Sequence, residues 1–546
     1  MGAVETKPGA IASQVFFVGA GRAQLGSVAE MGFKAFNLGR MAAIGLNVPH
    51  AFVLPTGVCR SFPAAGGVLP EEIRGQLRAA IRQLELSTGL AFGGERRPLL
   101  VSVRSGAPVS MPGMMDTVLN VGLNEDTLAG LLRLTGNPRL VWDSYRRLVQ
   151  AYAAVVGGCD PAPFAEETAR VLRVERAERL SDLDFRGLRS LAQGFLEIYR
   201  ELTGMRFPRS PVEQLETAVE AVFRSWWSRR AVEYRRLNGI DEALGTAVTV
   251  QRMVFGNAGG TSGAGVAFTR DPATGENRLY LDFAFNAQGE DVVSGREALE
   301  SPERLVERMP GLLPQLADIR GRLEREFRDA QEIEFTVQDG ELFMLQTRTG
   351  KRSPLAALRM AVEQVEEGLI DRSQALARLS GIDLDAIRTA EVVPGPGCER
   401  LATGQGASTG VARGRLALDC DAAARMVSRG HKAILVRREV STEDIGGIAV
   451  VAGLLTALGG RTSHAAVVAR HLGKVCVVGC PALAIDLDAR RMVLGNRSLG
   501  EGEILSINGA SGEVFLGELE IHEEKPLALL EQVRRWRDEP APPSAA

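Results

Sequence analysis

Apolar and polar residues change their spacing several times along this 546-residue chain, and each change predicts an element. Near the start, Phe36, Leu38, Met41 and Ile44 recur at helical spacing, after a glycine-flanked Lys34. Gly45 and Pro49 then lead into an apolar run that predicts a strand. Residues 68–92 predict a polar-faced helix, and 99–107 a buried strand carrying Arg104 at its end, followed by a loop over 110–117. The stretch 124–238 is largely helical, and inside it 141–147 predicts an amphipathic helix with a solvated basic face. Residues 247–256 alternate as a strand, cross a glycine-rich run and meet a second strand at 266–269, predicting a hairpin. Alternation on both sides of Asp339-Gly340 predicts another. Short helices over 351–391 lead to a Pro/Gly linker. Beyond it, strands at 433–436, 449–456 and 475–479 surround a helix beginning near His464, and 441–444 predicts a further helix opening with acids in its first turn. A strand-turn pattern over 503–515, an amphipathic helix and a disordered tail from about Glu539 complete the pattern.

This alternation predicts α/β and α+β multidomain architecture. The expected segments are 1–352 with a helical insertion at about 124–238, a helical linker over 353–398, a β/α domain over 399–518, and a C-terminal helix and tail over 519–546. Sixty-four Lys and Arg against 67 Asp and Glu leave a net charge of −3, so phosphate groups must be met by local clusters. The absence of a signal-like N-terminus or an 18-residue apolar run predicts a cytoplasmic protein. Six scattered cysteines at no C-x-x-C spacing predict buried thiols, and five unpaired histidines argue against a histidine metal centre.

Chemistry concentrates in four places. Lys34, beside Gly32, suits a nucleotide's phosphates, and Arg104 before a glycine-containing loop suits bidentate phosphate binding or a structural ion pair. Gly259, Gly260, Thr261, Ser262 and Gly263 form a loop whose amides can approach an anion, with Glu290 beside a turn further on. Glu332 and Glu334 share one strand face, with Gln346 and Arg348 on the partner strand. That set suits Mg²⁺ and nucleotide, or a solvated cross-strand charge pair. His464 follows Gly459-Gly460-Arg461-Thr462-Ser463 where a helix begins, with Thr462 or Ser463 as its cap. Free amides and the helix dipole there favour a phosphoryl group and keep the imidazole neutral; a capping or surface histidine is the plain alternative.

The run 459–470 resembles the phosphohistidine signature of the phosphoenolpyruvate-utilising enzymes. The segments V-S-V-R-S-G-A and S-M-P-G-M-M-D-T at 101–107 and 110–117 narrow the resemblance to the pyruvate, phosphate dikinase family, over about 28–520. The resemblance implies an ATP-grasp domain over 1–352 and a swivelling phosphohistidine domain over 399–518, without the C-terminal barrel that binds phosphoenolpyruvate and pyruvate in that family. It implies that His464 takes the β-phosphoryl group of ATP, releasing AMP and, with phosphate, pyrophosphate. It places ATP on Lys34, Arg104, Glu332, Glu334, Gln346 and Arg348, with Mg²⁺ on the two glutamates. It places phosphate at Arg147, Glu290 and 259–263, and makes Thr462 a position phosphorylated in some relatives, although capping is the preferred reading. The expected partners are ATP, inorganic phosphate and a barrel protein supplied in trans, with neither nucleic acid nor membrane. Glu332 replaces the family's usual Asp, Gly260 replaces a Glu linked to the phosphate site, and Arg461 replaces a common Met. The last two leave open whether phosphate or water takes the terminal phosphoryl group, as water does in the synthase branch. A regulatory or carrier phosphohistidine protein is the alternative of a different class. A rifampicin-type phosphotransferase lacks room for its acceptor domain between the two halves, and an Enzyme I-like role lacks the barrel.

Overall fold

The computed structural model describes residues 15–19, 25–111, 114–294, 299–300, 302–393, 399–440, 444–517 and 519–538. The chain divides into two compact units, one of 1–259 with 341–346, the other of 260–340 with 347–546. The boundary expected near residue 398 therefore falls inside the second unit.

In the first unit, five antiparallel strands run in the order Phe16–Val18, Ala51–Leu54, Ala247–Arg252, Val101–Gly106, Thr117–Val121. Their apolar residues join those of the helices 125–237 in one core, including Phe52, Val101, Val250, Leu148, Phe195 and Trp226. Helix ends here follow local chemistry. Asn124 caps Glu125–Thr135 through a box with Thr127, Asp184 caps Phe185–Thr203, and Ser210 caps a helix opening on Pro211. The helix predicted over 68–92 spans Glu71–Thr88, stopped by left-handed Gly89.

Lys34 does not precede its helix but lies within Val28–Ala43, just past a kink at Gly32. The segment 141–147 has no solvated basic face: Arg146 is buried, and Arg146 and Arg147 both pair with buried Asp143 at 2.8 Å. A carboxylate one turn earlier draws both cations inward.

The second unit begins with an antiparallel sheet in which Gly263–Phe268 lies between Tyr280–Phe285 and Gln331–Gln338. The predicted hairpin of 247–256 with 266–269 does not form, because Ala247–Arg252 belongs to the first unit's sheet. Glycines 263 and 265 are strand residues packed beneath aromatic rings; a Cβ on them would come within 2.1 Å of Phe283 and 2.4 Å of Phe335. The Asp339-Gly340 turn is as predicted, both residues having positive φ.

Also in this unit, Leu527–Asp538 sets Leu530, Val533 and Trp536 against the helices Pro354–Glu366 and Arg372–Leu379. An eight-stranded mixed sheet follows the order Glu399–Thr403, Glu513–Leu516, Ile504–Asn508, Val411–Ala417, Ala433–Arg437, Gly453–Thr456, Val475–Val478, Gln405–Gly406. Its three central neighbours after Val411–Ala417 are parallel and buried on both faces, as the uninterrupted apolar runs require. The strand expected at 449–456 begins only at Gly453, since Ile445–Val450 is helical. Of the expected opening 441–444 only Asp444 is described, at the cap position of that helix without a side-chain bond; residues 441–443, the linker 394–397, Cys398 and the tail from Glu539 lie outside the described residues.

Candidate phosphotransfer site

Each unit contributes candidate residues, and the local geometry can be built within each. In the first, Gly32 adopts φ +73, and a Cβ there would stand 1.7 Å from the carbonyl oxygen of Gly106. Only glycine allows this approach, and the Phe33 N–H then donates to Ala107 O at 2.9 Å. The kink seats the turn bearing Lys34 against the end of the strand that carries Arg104, bringing an exposed amine and a half-buried guanidinium to the same end of the sheet. Arg104 sits two residues before the strand's end, opposite Thr249 and Thr117. Arg147 is held by Asp143, whose carboxyl burial would raise but whose two arginine partners hold well below the usual carboxylate range. Gly259 has open space around it. Gln346 is buried in this unit's 341–346 segment, where the Met344 N–H donates to Asn47 O.

In the second unit, strand register organises the site. Asp282, Val266 and Glu334 form one row across the sheet, and Tyr280, Phe268 and Glu332 the next row but one. Alternation puts both rows on the same face. Glu332 is 4% exposed; its Oε1 accepts from Arg348, while its buried Oε2 has no hydrogen-bond partner. An orphaned carboxylate oxygen beside a second carboxylate fits a hard cation of the Mg²⁺ type, which takes one or two protein carboxylates and completes its shell with phosphate and water. Among the described residues no cluster of three such groups offers an all-protein cage. Partial burial and neighbouring Arg348 also push Lys351 below its ordinary range.

The glycine-rich run is used differently from expectation. Ser262 is buried, its Oγ accepting from the Asp339 N–H at 2.9 Å, and Thr261 O accepts from the Gly340 N–H. Arg308 donates to Gly260 O at 2.6 Å. Within 259–263 only Gly260 and Thr261 are exposed. Glu290 lies exposed at the second position of the short helix Gly289–Ser294.

His464 is the first residue of His464–His471, after the parallel strand Gly453–Thr456; its side chain lies outside the described atoms. The preceding loop is seated on the sheet face just described. The Thr462 N–H donates to Asp282 Oδ2 at 2.9 Å, and the Arg461 guanidinium lies 4.8 Å from the Tyr280 ring centre. A Cβ on Gly460 would meet Asp282 Oδ2 at 2.7 Å. Of the two cap candidates it is Ser463, not Thr462, that stands at the helix start. The Thr462 amide is taken by Asp282, Ser463 holds the cap position without a side-chain bond, and both hydroxyls are buried without partners.

Asp282 escaped the sequence reading. A single carboxylate inside the strand Tyr280–Phe285 was the available signal, and burial pushes its carboxyl above the usual range against the pull of Thr462 and Arg470. Cysteines 59, 159, 420, 476 and 480 are free, and burial pushes Cys476 up to about 12. No described helix is long and apolar enough to cross a membrane.

Comparison with known proteins matches residues 64–312 to "Pyruvate phosphate dikinase, AMP/ATP-binding domain" and 430–512 to "PEP-utilising enzyme, mobile domain". Pyruvate, phosphate dikinase of Clostridium symbiosum is 42% identical over 512 residues, covering 93% of this chain and 58% of the relative. The Rhizobium meliloti enzyme is 41% identical over 550 residues, covering 97% and 60%. Pyruvate, phosphate dikinase 2 of Zea mays is 44% identical over 515 residues, covering 93% and 58%. The chain thus spans less than two thirds of the length of these relatives. Two stretches of the chain are similar to an AMP/ATP-binding domain of the pyruvate, phosphate dikinase type and to a mobile domain of the PEP-utilising enzymes, and the chain aligns with the dikinases over nearly all of its own length.

Proposed function

We propose that this chain carries out the nucleotide half of a dikinase-type phosphotransfer. The observation that carries the reading is the shared sheet face: the loop leading into His464 rests on Asp282 and Tyr280, and Glu334 and Glu332 lie in the same rows two strands away. Two interstrand spacings are about 9.5 Å, a distance that a bound polyphosphate can bridge. Lys34, Arg104, Gln346 and Arg348 bind and orient ATP, and Glu332 with Glu334 hold Mg²⁺. When bound, that cation supplies charge neutralisation on the phosphate oxygens.

An imidazole nitrogen of His464 bonds to the β-phosphorus as the α–β bridging bond breaks, and AMP leaves with the bridging oxygen. Phosphate, bound near Arg147, Glu290 and 259–263, then attacks the γ-phosphorus. Pyrophosphate departs, leaving one phosphoryl group on His464. Positioning and cationic charge provide most of the acceleration in such transfers. Pyruvate, from which the relatives take their name, is the proposed final acceptor, with its site provided in cis or in trans. The loss of Glu at 260 and the presence of Arg461 favour a second reading of the intermediate step, in which water takes the terminal phosphoryl group.

ATP labelled at the β-phosphate should label the wild-type chain and leave His464→Ala unlabelled, with Glu332→Gln labelled more slowly. Persistent label in His464→Ala, or none in wild type, would overturn the reading. Pyrophosphate that appears only on addition of phosphate selects the dikinase step; inorganic phosphate release without it selects water.

A further inference from the structure

In the second unit, one cation stands beside the exposed turn at 260–261. Arg308 closes the short helix Pro302–Arg308, whose seat is fixed by buried Leu305 and by buried Met309 just beyond it. Its side chain is exposed yet held at two points. Nη2 donates to Gly260 O at 2.6 Å, and the guanidinium carbon lies 4.0 Å from the Phe285 ring centre. That ring meets Phe283 edge-on at 5.1 Å, and Phe283 in turn is buried and stacked on Phe335. A chain of rings thus anchors the guanidinium to the sheet, while its other N–H groups are left for solvent or a ligand.

Among the described residues no carboxylate forms an ion pair with Arg308, and Glu300, shortly before its helix, is taken by Arg304. Gly260 contributes to this state. A Cβ there would stand 3.2 Å from Arg308 Nη2, so an acidic side chain at 260 would lie within reach of the guanidinium and neutralise it. Glycine leaves the cation uncompensated and its approach to the backbone carbonyl open. An arginine is always charged and presents a rigid fork of donors that suits two oxygens of one phosphate. Because the ring and the carbonyl already orient this one, it gives up less side-chain freedom on binding an anion than a loose surface arginine does.

We propose that Arg308 is a binding residue for inorganic phosphate beside Gly260 and Thr261, and that it selects this oxyanion over water as acceptor of the terminal phosphoryl group. The inference rests on the phosphotransfer reading above. In that step both reactants are negatively charged, and the guanidinium offsets their repulsion. A phosphate oxygen bonds to the γ-phosphorus as its bond to the bridging oxygen breaks. The bridging oxygen stays with the phosphoryl group on His464, and pyrophosphate leaves.

The test compares the full chain as wild type, Arg308→Gln and Arg308→Lys. Labelling of His464 by β-labelled ATP without phosphate should proceed at the same rate in all three, because that step uses no phosphate. Pyrophosphate formation, followed against phosphate concentration, should show the phosphate KM raised about tenfold or more in Arg308→Gln and partly restored in Arg308→Lys, with the ATP KM unchanged. Gly260→Asp, which sets a carboxylate beside an intact Arg308, should raise the phosphate KM in the same direction. A wild type that takes no label would remove the phosphotransfer reading and this inference with it. A labelled wild type that forms no pyrophosphate from added phosphate, or whose phosphate KM equals that of Arg308→Gln, would overturn the role of Arg308 alone. Parallel shifts of labelling rate and both KM values would make Arg308 a structural clip and overturn it too.

Discussion

Single residues in this protein are placed by charge as much as by burial. Asp143 answers two arginines of its own helix, one of them buried, so its removal exposes the cost of an unpaired interior cation. Asp143→Ala should lower stability by roughly 3–5 kcal/mol, read by urea denaturation. The pH dependence has a definite sign. Arg146 and Arg147 hold the carboxyl below its ordinary 3.8 despite burial. Its contribution is therefore whole above that value and is shed as pH falls toward the lowered one. Asp143→Asn should remove this part of the acid-induced loss while the wild type retains it, and superimposable acid profiles would show that the pairing contributes nothing. The sequence showed aromatic and basic residues at helical spacing but not their direction, because solvated and inward-facing cations have the same spacing.

At the scale of elements, backbone freedom decides what can touch. Gly32 holds a conformation open to glycine alone and lies against Gly106, so Gly32→Ala should cost roughly 3 kcal/mol or more and pull the Lys34 turn away from the Arg104 strand. ATP affinity, measured by equilibrium binding, should fall with it. Gly259→Ala is the control: open space surrounds that glycine, and stability should change by no more than about 0.5 kcal/mol. The helix at Lys34 and the Asp339-Gly340 hairpin were legible, since local periodicity and turn chemistry act over a few residues. The second expected hairpin was not, because two alternating segments joined by glycines can pair with each other or enter separate sheets. Glycines 263 and 265 illustrate the same ambiguity. Their sequence suits a phosphate loop, whereas their neighbours Phe283 and Phe335 make them packing residues.

At the scale of the whole molecule, the two units differ in how much distant sequence they join. In the second, the helix Leu527–Asp538 completes a core with residues some 170 positions earlier, among them Leu358 and Val362. Trp536→Ala should therefore destabilise this unit by about 3–5 kcal/mol, seen as a lowered thermal midpoint, while leaving the first unit's transition in place. A single unchanged transition would show that the helix does not belong to that core.

The sequence by itself determined the chemistry available: a histidine after a glycine-flanked turn at a helix start, the paired glutamates and the type and order of most elements follow from spacing and residue type within short windows. Only the tertiary structure decided which of those groups share a surface. Strand register put Asp282 and Tyr280 on the face of Glu332 and Glu334 and Asp282 under the Thr462 amide, while packing left Arg470 buried with donors unmatched. Register and burial are set by long-range packing, which a local pattern of apolar and polar positions does not encode.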